Sequence, residues 1–256
     1  MSDYLYRYIS FEMFVDMVQT QSLNFVLPSI WEDTYENFFL HSYYNSLDSY
    51  NKQIAFAFEN ITYAQSWTEL SESDAMWRIY NYNNKSLRLK ISRSDAEKLK
   101  NVFITPVIYE NNPIDYKNSN EHIPSIMLKV IAQKRTAFEH EKEVRLIYVE
   151  KRTDSEILSA VKAMAIIRAV YDQSSKITLP DYNVCKDIIK ESNDKFNLNE
   201  SKKCQKVSFA DIPNFVKGIL VNPHAPEWYV QTVKKYCELN NIPFEGKSKL
   251  YDETEI

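Results

Sequence analysis

The segment FEHEKEVRLIYV (residues 138–149) joins a cluster of charges to an apolar run of strand length. The run Val144–Val149 contains β-branched and aromatic residues, which favour a strand. Side chains alternate along a strand, so every second residue is expected to face a core: Val144, Leu146 and Tyr148. Further strands and helices are predicted on both sides of this segment, without a clear linker. We therefore expect one α+β domain over residues 1–256.

The charged part of the same segment carries two carboxylates and a guanidinium. If the strand reaches back to Glu141, then Glu141, Glu143 and Arg145 project from one face, with the carboxylates about 7 Å apart. The arginine would hold one carboxylate ionised, and the other would accept a substrate hydroxyl or act as a base. A solvated strand edge with paired charges is the alternative interpretation.

Two aromatic segments in the middle of the chain form a second candidate site. Ser66 and Trp67 end a predicted strand, and a helix over 73–82 would place Trp77 and Tyr80 on one face. A hydroxyl beside amphipathic rings suits a planar heterocycle, because the rings stack and the hydroxyl bonds to an edge. Ordinary aromatic core packing explains the same pattern.

The first predicted strand, Tyr4–Tyr8, carries Arg7 between Tyr6 and Tyr8. Such an arginine can bind phosphate or carboxylate in a bidentate manner, although an exposed strand arginine is an equal alternative. The acidic segment Trp31–Glu36 either lines a site or caps the next helix, and helix capping is the favoured interpretation.

The remaining pattern predicts several further elements. They are helices over 37–58, 122–135, 155–163, 182–191 and 226–240, strands over 165–171 and 215–221, and a solvated loop over 192–206.

The composition excludes two large classes of nucleotide-binding protein. Two glycines, Gly218 and Gly246, cannot form the glycine-rich turn of a Rossmann fold or a P-loop. The net charge of −4 is spread along the chain, which disfavours capture of nucleic acid by net charge but allows a local basic groove. The four histidines have no metal-binding spacing, so no metal site is predicted.

The three cysteines are few and far apart, which predicts reduced thiols. The first residues lack the features of a secretory signal, and no apolar run is long enough to span a membrane. We expect a cytoplasmic protein without a membrane partner.

These segments, in this order, resemble the bacterial family of domains of unknown function called DUF2971. The resemblance covers nearly the whole chain and rests on the ordered set Leu5–Tyr8, Glu32–Glu36, Ser66–Thr68, Met76–Tyr80, Lys134, Phe138–Arg145, Val216–Pro223, Ala225 and Ser248–Leu250. The chain departs from the family pattern at Glu32, Thr34, Ser86 and Phe138.

The layout is also similar to that of ADP-ribosyltransferase-like toxins. This similarity implies a small split sheet of mixed or antiparallel strands, flanked by helices, with NAD bound as a substrate in its cleft. It implies that Glu143 or Glu141 is catalytic and stabilises the charge that develops on the ribose. The implied cofactor-binding residues are Tyr6, Arg7, Ser66, Trp67, Trp77, Tyr80 and Arg145.

The resulting functional prediction is an ADP-ribosyltransferase or NAD glycohydrolase. It would act as a bacterial toxin or phage-defence effector on a nucleic-acid or protein acceptor, with an antitoxin or defence partner. The first alternative is a non-enzymatic sensor module that binds a nucleotide or a partner. A further alternative is a metal-dependent nuclease that uses Glu32, Asp33, Glu141 and Glu143.

Overall fold

The structure is a computed structural model that describes residues 2–31, 34–47, 51–52, 55, 58–113, 115–116, 121–171, 181–196 and 203–252. Its strands are β1 (Tyr4–Ile9), β2 (Ser22–Val26), β3 (Thr62–Thr68), β4 (Leu87–Ser92), β5 (Val102–Pro106), β6 (Ile108–Tyr109), β7 (Gln133–Lys134), β8 (Glu143–Val149), β9 (Cys204–Ser208), β10 (Val216–Val221) and β11 (Phe244–Lys247). Its helices are α1 (Phe11–Thr20), α2 (Thr34–Ser46), α3 (Asp74–Ile79), α4 (Arg93–Ala96), α5 (Ile123–Ile131), α6 (Asp154–Tyr171), α7 (Tyr182–Phe196) and α8 (Glu227–Leu239). Short 3-10 helices span Pro28–Ile30 and Thr136–Glu141.

Nine of these strands form one mixed sheet, as the described residues show. The order is β11-β10-β4-β1-β3-β2-β9, with β8 paired to β3 and β5 paired to β8. Within this sheet β10 and β11 are parallel, and the other pairs are antiparallel. The predicted α+β architecture is therefore present, although the sheet is not small.

The sheet parts along one edge of β3. On the other edge, β8 pairs with β3 from Thr62 to Thr68. On the parting edge, the recorded pairs are Tyr6 of β1 with Thr68 and Val26 of β2 with Ala64. The three residues between them, Gln65–Trp67, face a gap between β1 and β2. Helix α1 connects these two strands.

Helix α1 begins at Phe11, directly after Ser10. The Ser10 side chain accepts a hydrogen bond from the backbone N–H of Met13, which satisfies one of the free donors of the first turn. The apolar stripe of the helix buries Phe14 and Val18 in the main core. The helix ends at Gln21, which adopts a left-handed conformation (φ 49°) and turns the chain into β2.

Strand β8 is buried on both faces. Val144 and Leu146 join the main core, and Tyr148 packs against it, as the alternation predicts. Glu143 and Arg145 are also buried, with 4% and 1% of their surfaces exposed. The interpretation as a solvated strand edge is therefore wrong, because β3 and β5 pair with both edges of β8.

Several predicted elements differ from the structure, among them the following three. Residues 165–171 are the last turns of α6 and not a strand, because the helix that begins at Asp154 continues and packs against α7. The predicted loop over 192–206 contains the end of α7 and the start of β9. The helix predicted over 122–135 ends at Ile131, before β7. In the described part of the chain, no helix combines the length and apolar character needed to cross a bilayer.

Candidate functional site

A cavity of about 620 Å³ lies where β1 and β2 part. Its wall includes β1, the gap-facing residues of β3, the segment that follows α3, and the two acidic residues around the start of β8. Predicted site residues that line this cavity are Tyr6, Arg7, Ser66, Trp67, Tyr80, Glu141 and Glu143. The structure therefore brings together residues that lie far apart in the sequence.

Arg7 supplies a cation at this cavity. Its side chain is half-buried and makes no hydrogen bond or ion pair with another described residue. Burial lowers the pKa of Arg7 to about 10, so the group stays positively charged at neutral pH. Arg7 also lines a smaller neighbouring cavity of about 270 Å³. A cation that pairs with no described residue and lies at a cavity wall is suited to an anionic ligand.

The two carboxylates reach the cavity by a backbone route that the sequence did not predict. Glu141 ends the 3-10 helix and is not part of β8. Lys142 then adopts a left-handed conformation (φ 44°), and Glu143 is the first residue of the strand. The expectation that strand alternation aligns Glu141 with Glu143 is therefore wrong. The turn at Lys142 brings the two side chains together instead.

Two buried cations hold the acidic pair. The Lys134 Nζ atom lies 2.8 Å from Glu141 Oε2 and 2.9 Å from Glu143 Oε2. The Arg145 Nε atom donates to Glu143 Oε1 at 2.8 Å, and its guanidinium stacks on Trp31 at 4.3 Å. Burial alone would raise the pKa of Glu143, but Arg145 and Lys134 outweigh it and lower the pKa to about 2. Glu143 is therefore ionised at neutral pH.

Strand β3 contributes a hydroxyl and an indole to the cavity. Ser66 pairs in register with Arg145, and its hydroxyl helps to lower the pKa of Glu143. Trp67 donates its indole N–H to Gln65 Oε1 at 2.8 Å, and Gln65 Nε2 donates to the Asn24 carbonyl at 3.0 Å. This chain of hydrogen bonds ties β3 to β2 beside the gap.

The aromatic residues divide into a cavity wall and a layer behind it. Tyr80 lines the cavity. The pKa of its phenol is raised, mainly by burial and to a smaller extent by the negative charge of Glu141. Trp77 does not line the cavity. It packs edge-on against Tyr8 at 4.6 Å and donates its indole N–H to Glu72. The prediction that Trp77 contacts a ligand is therefore not supported by its position.

Three residues of the site had no predicted role. Lys134 belongs to the ordered set that carries the family resemblance, but the sequence predicts no partner for its side chain. Gln65 lines the cavity, and the Tyr109 hydroxyl accepts the backbone N–H of Glu143 at 2.7 Å. For Lys134, the only signal in the sequence is a pair of adjacent basic residues, Lys134 and Arg135, a few positions before the acidic pair.

The acidic segment Trp31–Glu36 is only partly described. Trp31 lines the cavity. Glu32 and Asp33 lie outside the described residues, so the part of the nuclease hypothesis that uses them is not tested by the structure. Among the residues that are described, no group of three or more His, Cys, Asp or Glu side chains is arranged to hold a metal ion.

The resemblances to DUF2971 and to ADP-ribosyltransferase-like toxins stay predictions. No protein-family model, curated protein or solved structure matches this chain.

Proposed function

We propose that the protein binds NAD in the cavity between β1 and β2 and breaks the bond between nicotinamide and ribose. The ADP-ribose is then transferred to water or to an acceptor. One observation carries this proposal: Arg7, which has no described partner, lines the same cavity as the carboxylates of Glu141 and Glu143. An ADP-ribosyltransferase-like split sheet is part of the same proposal.

The anionic part of NAD would lie at Arg7. A guanidinium offers a planar fork of donors that suits a pyrophosphate. A side chain is needed for this role because the two glycines lie on β10 and β11, away from this cavity, and cannot form a phosphate-binding backbone loop. The cavity volume is typical of sites for small ligands.

The reacting part would lie at the acidic pair. When the glycosidic bond breaks, its electron pair moves to the nicotinamide ring, which becomes neutral, and positive charge develops on the ribose. An ionised carboxylate beside the sugar stabilises that charge. Water or an acceptor then bonds to the ribose carbon and gives up a proton. The ring of Tyr80 or Tyr6 offers a surface on which nicotinamide can stack.

The direct test is the release of nicotinamide from NAD by the purified protein, followed by chromatography with and without bacterial extract. The wild-type protein is expected to release nicotinamide, and the Arg7→Met variant is expected to release it about 100-fold more slowly. Arg78→Met is the matched control, since Arg78 is exposed, pairs with Asp74 and does not line the cavity. Absence of release by the wild type under both conditions would rule the activity out.

A non-enzymatic sensor of nucleotides or partners is the second candidate. It is favoured by the position of Glu143, because Arg145 and Lys134 bond to its two oxygens and hold it as part of the wall. In that case NAD raises the melting temperature in a saturable manner while no nicotinamide is formed. Turnover of NAD distinguishes the two functions.

In a cell, the proposed activity fits a bacterial toxin or phage-defence effector of the DUF2971 family that acts in the cytoplasm. The acceptor would be a nucleic acid or a protein, and an antitoxin or defence partner would restrain the activity. Induced expression in bacteria is expected to lower cellular NAD with the wild type and not with Arg7→Met. Equal NAD levels in the two strains would count against this role.

A further inference from the structure

The two carboxylates differ in how many oxygens the protein already uses. Glu143 accepts a hydrogen bond from Arg145 at Oε1 and from Lys134 at Oε2. Glu141 accepts from Lys134 at Oε2, and its Oε1 makes no hydrogen bond or ion pair with another described residue. Both residues line the cavity. Glu141 therefore offers a ligand an oxygen that no described residue engages.

Charged and titratable groups face this pair from several elements. In the described part of the chain they are Lys134 on β7, Arg145 on β8, Tyr109 on β6, Tyr80 after α3 and Arg7 on β1. Lys134 pairs with both carboxylates, and Arg145 pairs with Glu143. Tyr109 and Tyr80 are phenols whose pKa values burial raises, and they stay neutral.

These contacts restrict what Glu143 can do. Each oxygen of Glu143 already accepts a hydrogen bond from a buried cation, so a ligand hydroxyl would have to share that oxygen with Arg145 or Lys134. Glu141 can accept a hydrogen bond at Oε1 while its other oxygen stays on Lys134.

We propose that Glu141 is the catalytic carboxylate, which accepts a ribose hydroxyl at Oε1, and that Glu143 and Lys134 are positioning residues. This division of roles rests on the proposed function and decides between its two candidate carboxylates. Lys134 fixes the orientation of Glu141, and Glu143 fixes Lys134 together with Arg145.

Two matched substitutions separate the roles. Glu141→Gln is expected to slow nicotinamide release by about 100-fold or more, because the lost charge faces the reacting sugar. Its melting temperature should stay within about 3 °C of the wild type. Glu143→Gln is expected to lower the melting temperature by about 8 °C or more, since Arg145 and Lys134 then both lose their ion pair with Glu143. A Glu141→Gln variant that keeps its rate within about threefold overturns the proposal.

The role of Lys134 is tested by a pH profile. Lys134 helps to lower the pKa of Glu143, so without this cation Glu143 holds a proton to higher pH. Lys134→Met should therefore move the acid limb of the pH–rate profile to higher pH, and Lys134→Arg should restore it. A Lys134→Met variant that is slower but has an unshifted limb would assign Lys134 a structural role and contradict the positioning role.

Melting curves keep this inference separate from the proposed function, because they require no turnover. If the wild type releases no nicotinamide, the proposed function fails. The unequal use of oxygens still predicts that Glu143→Gln melts well below Glu141→Gln. Coinciding melting temperatures for the two variants would overturn it.

Discussion

At the scale of single residues, the ionisation of Glu143 links the site to the stability of the fold. The pKa of Glu143 lies at about 2, below its ordinary value of 4.5, because Arg145 and Lys134 outweigh the effect of burial. The folded chain thus binds fewer protons than the unfolded chain between these values. The stabilisation from Glu143 is complete above 4.5 and is lost as the pH falls towards 2.

The expected result is a melting temperature that falls on acidification between about pH 4.5 and pH 2 in the wild type. In Glu143→Gln the fall should be shallower, because the titrating group is gone. Circular dichroism melts at several pH values measure both slopes. Parallel slopes for the two proteins would contradict the ionised state of Glu143.

Substitution of two arginines of the site by methionine should change the melting temperature to different extents. Arg145 is buried against Glu143, so Arg145→Met leaves a buried carboxylate with one cation fewer and should lower the melting temperature by about 8 °C or more. Arg7 has no described partner, so Arg7→Met should stay within about 2 °C of the wild type or melt higher. Differential scanning calorimetry gives both values, and a large loss in Arg7→Met would show that Arg7 is structural.

The sequence identified the residues of the site better than their contacts. Arg7, Ser66, Tyr80 and the acidic pair stood out because charge, hydroxyl and aromatic character are visible in the sequence. Lys134 was not assigned a role, because its bonds to residues seven and nine positions later depend on the fold of the intervening turn.

At the scale of elements, the turn at Lys142 determines where the carboxylates point. Its left-handed backbone (φ 44°) is uncommon for a residue with a side chain and favours glycine. Lys142→Gly is therefore expected to keep nicotinamide release within about threefold of the wild type and to keep the melting temperature. Proline cannot adopt a positive φ, so Lys142→Pro should abolish release and lower the melting temperature. Equal activity of the two variants would show that the turn does not position the pair.

The elements that were predicted wrongly share a physical cause. Residues 165–171 have β-branched side chains that favour a strand, yet they continue a helix whose neighbour α7 packs against it. Strand β9 contains charged and polar residues and is stabilised by its pairing with β2, which the local pattern does not encode. Contacts with other elements thus override local preference in both places.

At the scale of the whole molecule, the site depends on how the sheet is connected. Strands β10 and β11, near the end of the chain, join the same sheet as β1. The gap arises because β1 and β2 share one edge of β3 and meet it at opposite ends. Hydrophobic alternation predicts that strands exist but not which edges pair, so the cavity could not be derived from the sequence. The sequence indicates which residues are candidates for a site but not how they are arranged around a cavity.

We propose above that one cavity holds a nucleotide between Arg7 and the acidic pair. Calorimetric titration with ADP-ribose tests it most directly, because this ligand contains the pyrophosphate and the ribose but lacks the bond that is cleaved. We predict binding of one molecule per chain, with affinity reduced by about 10-fold to 100-fold in Arg7→Met and unchanged in Arg78→Met. Equal affinity of the wild type and Arg7→Met, or no binding by the wild type, would contradict the claim.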